Sequence, residues 1–191
     1  HGKSACDYTY HLGIARYDEA IERQVREIVS KGVASFKIFL AYKGAFGVTD
    51  EELYRTLRLA RELGVITTAH CENETLVSER QRELVAQGRL GPEWHEPSRP
   101  PAVEAEGVHH LMTFARMHDA HVYIVHLSCE EALRVAIEAR LTGVNVWVET
   151  LIQYLLLDKT YAERAKFEGA KWVMSPPLRE KRNQEGLWRA L

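Results

Sequence analysis

Lys37, Tyr42, His70 and His126 are the side chains whose types and places could do chemistry together. Lys37 stands inside the run Ala34-Ser35-Phe36-Lys37-Ile38-Phe39-Leu40-Ala41. A short, continuous apolar run of this kind reads as a strand covered on both faces, as in a parallel sheet. Lysine is almost never fully buried unless something pairs with it. Burial drives its ammonium toward the neutral amine, which is reactive. His70 closes a second run, Ile66-Thr67-Thr68-Ala69-His70, and His126 closes a third, Tyr123-Ile124-Val125-His126. Imidazole is the commonest protein metal ligand, and zinc accepts nitrogen and oxygen donors. In parallel β/α folds the chemistry gathers at the carboxyl ends of the strands. Lys37, His70 and His126 therefore point to one rim, and Tyr42 follows Lys37 into the loop above it. The plainer readings of the same residues are a snorkelling lysine, two satisfied core histidines and a packing tyrosine.

Alternating segments must position these groups. Residues 7–14 read as a strand, and 18–32 as a helix with Ile21, Val25, Ile28 and Val29 on one face and Gly32 as its stop. After the strand around Lys37, Thr49 and Glu52 form a capping-box pattern for a helix that Gly64 ends. Residues 65–70 read as a strand, 72–88 as a helix, 91–102 as a Pro- and Trp-containing loop, and 103–119 as a helix. A strand over 121–127, a helix starting at Cys129 and a strand over 144–150 follow. Beyond 150 the pattern weakens, and a short apolar run ends at Pro176 and Pro177. Short strands alternating with longer helices predict β/α units around a parallel sheet. An open doubly wound sheet and a (β/α)8 barrel both satisfy that pattern. No GxGxxG or GxxxxGK[ST] stretch follows the first strand, which disfavours a nucleotide-binding open sheet. Five units are too few to close a barrel.

The 191 residues suffice for one domain with a real core, and the net charge of -2 gives no reason to expect a nucleic-acid or membrane partner. No apolar run is long enough to cross a bilayer. Three cysteines, Cys6, Cys71 and Cys129, are odd in number and far apart, which points to reduced thiols and a cytoplasmic location. The chain opens on His1 without an initiator Met and ends on a helix-like stretch, so a segment of a longer protein is expected.

The segments Ser35–Gly44 (SFKIFLAYKG), Ala69–Glu74 (AHCENE), Trp94–Gly107 (WHEPSRPPAVEAEG), Tyr123–Cys129 (YIVHLSC) and Trp172–Arg179 (WVMSPPLR) carry a resemblance. Together they resemble the dihydropyrimidinase/hydantoinase family of cyclic amidohydrolases, from about residue 7 to residue 191. The resemblance implies a (β/α)8 TIM-type barrel, of which this chain would supply about strands three to seven of eight as a single incomplete domain. It implies two zinc ions bridged by a carboxylated lysine, matched by Lys37, with His70 and His126 as ligands of one metal. A carbamate offers two oxygens to two cations, and the cations would in turn hold it charged. It further implies that Tyr42 steadies the oxyanion and that Ser175 holds the cyclic amide, although a serine before two prolines is also plain turn chemistry. The implied reaction opens a dihydropyrimidine or hydantoin ring by attack of metal-activated hydroxide on a ring carbonyl, commonly in a homotetramer.

The chain also departs from the family pattern. No two of its nine histidines are two residues apart, so the family's His-x-His pair is absent. The family's late aspartate is absent as well, since the last aspartate, Asp158, precedes Val173-Met174-Ser175-Pro176. Where the family usually reads Glu-Thr-Cys-Pro, this chain reads Glu149-Thr150-Leu151-Ile152. The expectation is a chain that binds fewer than two zinc ions and is inactive alone. A dihydroorotase, an allantoinase and a non-catalytic scaffold of related fold remain as alternatives.

Overall fold

The computed structural model describes residues 2–191. Local chemistry writes several helix ends directly. Thr49 caps α2 (Asp50–Leu63): its hydroxyl accepts from the Glu52 N–H, and the Glu52 carboxylate accepts from the Thr49 N–H. Gly64 closes the same helix at φ 68°, a left-handed conformation that glycine adopts without a Cβ clash. Asp18 and Asn73 cap α1 (Glu19–Ser30) and α3 (Glu74–Ala86) through their side chains.

Among the described residues the strands are β1 (Leu12–Gly13), β2 (Ser35–Phe39), β3 (Ile66–His70), β4 (Val122–Ile124) and β5 (Val146–Val148). All pairs are parallel, and the order across the sheet is β1-β2-β3-β4-β5. A doubly wound sheet reverses its strand order at a switch point, whereas a β/α barrel adds each strand beside the last. The order here never reverses. The sheet is therefore five consecutive staves of a barrel wall, and the fold is α/β with a partial (β/α)8 barrel.

Register assigns the faces. Phe36, Thr67, Val122 and Val146 stand in one row across four strands, and all are buried. Phe36 and Ile38 pack with Leu53 and Leu57 of α2 and with Val108 and Leu111 of α5 (Pro101–His118) in one apolar core. The next row is Lys37, Thr68, Tyr123 and Trp147, on the opposite face because strand side chains alternate. Lys37 and Tyr123 are half-buried and Trp147 is exposed. The expectation of a strand covered on both faces is therefore corrected: helices seal one side, while the concave side of five staves stays partly open.

Element boundaries also differ from the sequence reading: the strands expected over 121–127 and 144–150 are confined to Val122–Ile124 and Val146–Val148, and two further differences are larger. The strand expected over 7–14 shrinks to Leu12–Gly13, because β2 pairs only with that end of it. The expected loop 91–102 contains a 3-10 turn, Pro92–Trp94, and the short helix α4 (His95–Ser98). Its last two prolines belong to the next helix: Pro100 is the N-cap of α5 and Pro101 its first residue, a position where the missing N–H leaves no helical bond unmade. The remaining helices are α6 (Glu130–Leu141), α7 (Ile152–Leu156) and α8 (Arg182–Ala190). No helix among the described residues is long and apolar enough to cross a membrane.

Candidate active site

The carboxyl end of β3 and the residues just past β4 bring two imidazoles face to face. His70 Nδ1 lies 3.3 Å from His126 Nε2. Two nitrogens bound to one tetrahedral zinc at about 2.0–2.1 Å stand about 3.3–3.4 Å apart. The pair thus has the spacing of two ligands on a single ion. On its other side, His70 Nε2 donates to Glu72 Oε2 at 2.7 Å. A carboxylate only accepts, so the proton sits on Nε2 and the lone pair of Nδ1 faces His126. A carboxylate behind an imidazole is the usual support of a metal-binding histidine. Burial, and then the neighbouring His70 and Lys37, push His126 down to about 3, which keeps it in the neutral form that ligates metals. Burial opposes the Glu72 carboxylate, but the His70 hydrogen bond and the Arg99 charge outweigh it and hold its pKa below the ordinary value.

Lys37 lies on the same concave face, two register rows before the Phe39–His70 pair. Its Nζ is 4.6 Å from the centroid of the Phe39 ring. Burial lowers the amine from the ordinary 10.5 to about 8, against a smaller upward pull from the Glu149 carboxylate. Burial drives the Cys71 thiol well above its ordinary range, so that neighbour is a neutral thiol.

Tyr42 and His126 both adopt left-handed backbone, at φ 66° and 46°. Such conformations are strained for residues with a Cβ and are held by their surroundings. Around Tyr42, the backbone N–H groups of Ala45, Phe46 and Gly47 close on its carbonyl, and its own N–H donates to the Glu74 carboxylate. A Cβ on Gly47 would lie 2.0 Å from the Ala41 carbonyl oxygen, so the turn requires glycine there. Around His126, the backbone N–H donates to Glu149 Oε1 at 3.2 Å. The Tyr42 hydroxyl accepts from Arg99 Nη1 at 3.1 Å, and the same nitrogen donates to Ser175 Oγ at 2.8 Å.

The structure thus brings all five residues singled out from the sequence to one rim: Lys37, Tyr42, His70, His126 and Ser175. It adds Glu72, Arg99, His95 and Glu149, which the sequence reading gave no role. Glu72 carried a signal, since residues two apart at a strand end share a face with the histidine. Arg99 carried none, because its partners lie 57, 27 and 76 residues away. Among the described residues no cluster of three or more His, Cys, Asp and Glu side chains is arranged to hold a metal. The rim offers one imidazole pair and a lysine, a donor set for one side of a metal site.

Helix α5 approaches this rim closely at Gly107, where a Cβ would stand 2.6 Å from the Cys71 carbonyl carbon and 2.8 Å from the Glu72 nitrogen. Backbone cannot swing aside as a side chain can. Gly107→Ala is expected to lower the unfolding free energy by about 1–3 kcal/mol, the usual range for overpacking, as read from urea denaturation.

A parallel β/α wall with paired imidazoles and a half-buried lysine at its carboxyl rim defines part of a β/α barrel whose polar side chains gather where such barrels place their active sites. No protein-family model matches the chain. The D-hydantoinase of Geobacillus stearothermophilus is 42% identical to it over 191 residues, which is 100% of this chain and 41% of that protein. A solved D-hydantoinase (dihydropyrimidinase) from Thermus sp. superposes with a TM-score of 0.95 at 57% identity, covering 97% of this chain and 40% of the other. The dihydropyrimidinase of Brevibacillus agri NCHU1002 gives 0.96 at 40% identity, over 99% and 41%. The chain belongs to the dihydropyrimidinase/hydantoinase family of cyclic amidohydrolases and spans about two fifths of the length of these relatives.

Proposed function

We propose that this chain carries part of the active site of a zinc-dependent hydrolase that opens hydantoin or dihydropyrimidine rings. The observation that supports it best is the 3.3 Å approach of His70 Nδ1 to His126 Nε2, with Glu72 fixing the His70 proton on the far nitrogen. His70 and His126 would hold one ion, and Lys37, as its carbamate, would reach toward it from β2. A bound divalent cation supplies Lewis acidity, polarising a carbonyl and lowering the pKa of water. The chain's own residues do the rest. Tyr42 donates its hydroxyl hydrogen to the oxygen on which charge develops as the ring carbonyl is attacked. Ser175 orients the cyclic amide. The names of the relatives favour hydantoin and dihydropyrimidine rings over dihydroorotate or allantoin. The proposal includes a homotetrameric, cytoplasmic protein, as the family resemblance implies; the unpaired buried thiols of Cys71 and Cys129 support a reducing compartment.

Elemental analysis and chelator competition test the site on the purified chain. Fewer than two zinc ions should bind per chain, His126→Ala should weaken that binding at least about tenfold, and neither hydantoin nor dihydrouracil should be turned over. With 13C-bicarbonate and zinc, a carbamate carbon resonance should appear and should vanish in Lys37→Met. A chain that shows no zinc affinity and no carbamate sinks this reading.

A further inference from the structure

Arg99 stands where the halves of the site meet, and its position decides where two hydroxyl hydrogens point. Its Nη1 lies 2.8 Å from Ser175 Oγ, 3.0 Å from Glu72 Oε2 and 3.1 Å from Tyr42 Oη. A guanidinium has only donors and stays charged throughout the physiological range. Both hydroxyl oxygens therefore accept from Arg99, and neither hydroxyl hydrogen is consumed in the contact. His95 adds to this at Ser175. Its Nε2 is 2.7 Å from the Met174 carbonyl oxygen and so carries the proton. Its 3.4 Å contact with Ser175 Oγ is then a second donation to the serine, not one from it. Arg99 is 3% exposed, so bulk water does not compete for these bonds. Two Nη1 hydrogens are shared among three oxygens, one of which belongs to the carboxylate that also holds His70.

We propose that Arg99 is a positioning residue with two linked tasks. It makes Tyr42 and Ser175 outward hydrogen-bond donors. Through Glu72 it also keeps the His70 lone pair aimed at His126. One buried cation thereby aligns the donors for a developing oxyanion with the imidazole pair. What those donors meet rests on the function proposed above; the direction of the hydrogen bonds does not.

The test uses the purified chain labelled with 3-fluorotyrosine, with Tyr42→Phe identifying the Tyr42 resonance. Arg99→Met should move that fluorine resonance while the other tyrosine signals stay in place, a selectivity that general loosening of the fold would not produce. Zinc affinity, read by chelator competition, should fall about 10–100-fold in the same variant, the range typical of lost support behind a ligand. It should hold in Tyr42→Phe, which leaves Glu72 untouched. If circular dichroism shows Arg99→Met unfolded, Arg99→Lys decides: a point-like ammonium cannot span three acceptors, so both readouts should move in the same directions. A Tyr42 resonance that stays fixed in every folded Arg99 variant overturns the proposal, as does unchanged zinc affinity. A wild-type chain without zinc affinity counts against the proposed function instead, and the fluorine resonance then decides for or against Arg99 by itself.

Discussion

Replacing Arg179 by methionine is expected to lower the unfolding free energy by about 3–5 kcal/mol, the range for removing one partner of a buried ion pair. For a chain of this size that corresponds to a fall in melting temperature of about 6–20 °C, at about 2–4 °C per kcal/mol. The reason lies in what the guanidinium holds. Nη2 donates to Glu104 Oε2 at 2.9 Å, Nε to Ser128 Oγ at 2.8 Å, and Nη1 to the Arg99 carbonyl at 2.5 Å. Glu104 and Arg179 side chains are each 2% exposed. Without Arg179 the Glu104 carboxylate stays in the core with only Ser128 to stabilise its charge. The segment after β5, helix α5 and the loop after β4 also lose their common anchor, and the Arg99 backbone loses its donor. Calorimetry or urea unfolding measures the loss. The double variant Arg179→Met/Glu104→Leu should recover much of it, since the fully buried Glu104 charge is then gone and only the more distant, partly exposed Glu96 carboxylate loses its partner. A single variant as stable as the wild type would show that the pair contributes nothing.

Lys37 is expected to react with cyanate far faster than an ordinary lysine. At pH 8 an amine with pKa near 8 is about half neutral, whereas one at 10.5 is about one part in three hundred neutral. The excess of reactive amine is about 150-fold, before any loss from restricted access. Peptide mapping by mass spectrometry, compared with Nα-acetyl-lysine amide under the same conditions, measures it. The pH profile of labelling should have its midpoint near 8. The same depression makes a stability prediction of definite sign. Between about pH 8 and 10.5 the unfolded chain binds more protons at this lysine than the folded one, so stability from this group rises with pH across that window. Below pH 8 the folded state bears a partly desolvated ammonium. Lys37→Met should therefore raise the melting temperature at pH 7, and its advantage should shrink toward pH 10. Labelling at the rate of the free lysine derivative would show that water reaches the amine and that burial does not lower it.

Much of this was legible because it is local. The Thr49–Glu52 box and Gly64 announce α2 by residue type alone, and the structure shows both caps. The apolar runs that end on His70 and His126 placed those imidazoles at strand ends, and a shared direction of parallel strands then put them on one rim. Five β/α units were countable. Whether they formed an open sheet or a barrel wall was not, because strand order is a statement about neighbours distant in sequence. The failures follow the same division. Asp7–His11 has the composition of a strand, yet a strand needs a partner along its length, and β2 meets only Leu12 and Gly13. The prolines of 91–102 read as loop, yet two of them begin α5.

By itself the sequence determined the units, their caps, and which polar side chains stand at each strand end, since those depend on side-chain type and on periods of two and 3.6 residues. Only the tertiary structure decided the sequential order of the strands and the half-open state of the face that carries Lys37. It also decided the convergence of Arg99 on Tyr42, Glu72 and Ser175. Each of these depends on groups brought together across tens of residues, where direction and distance, not residue type, determine who donates to whom.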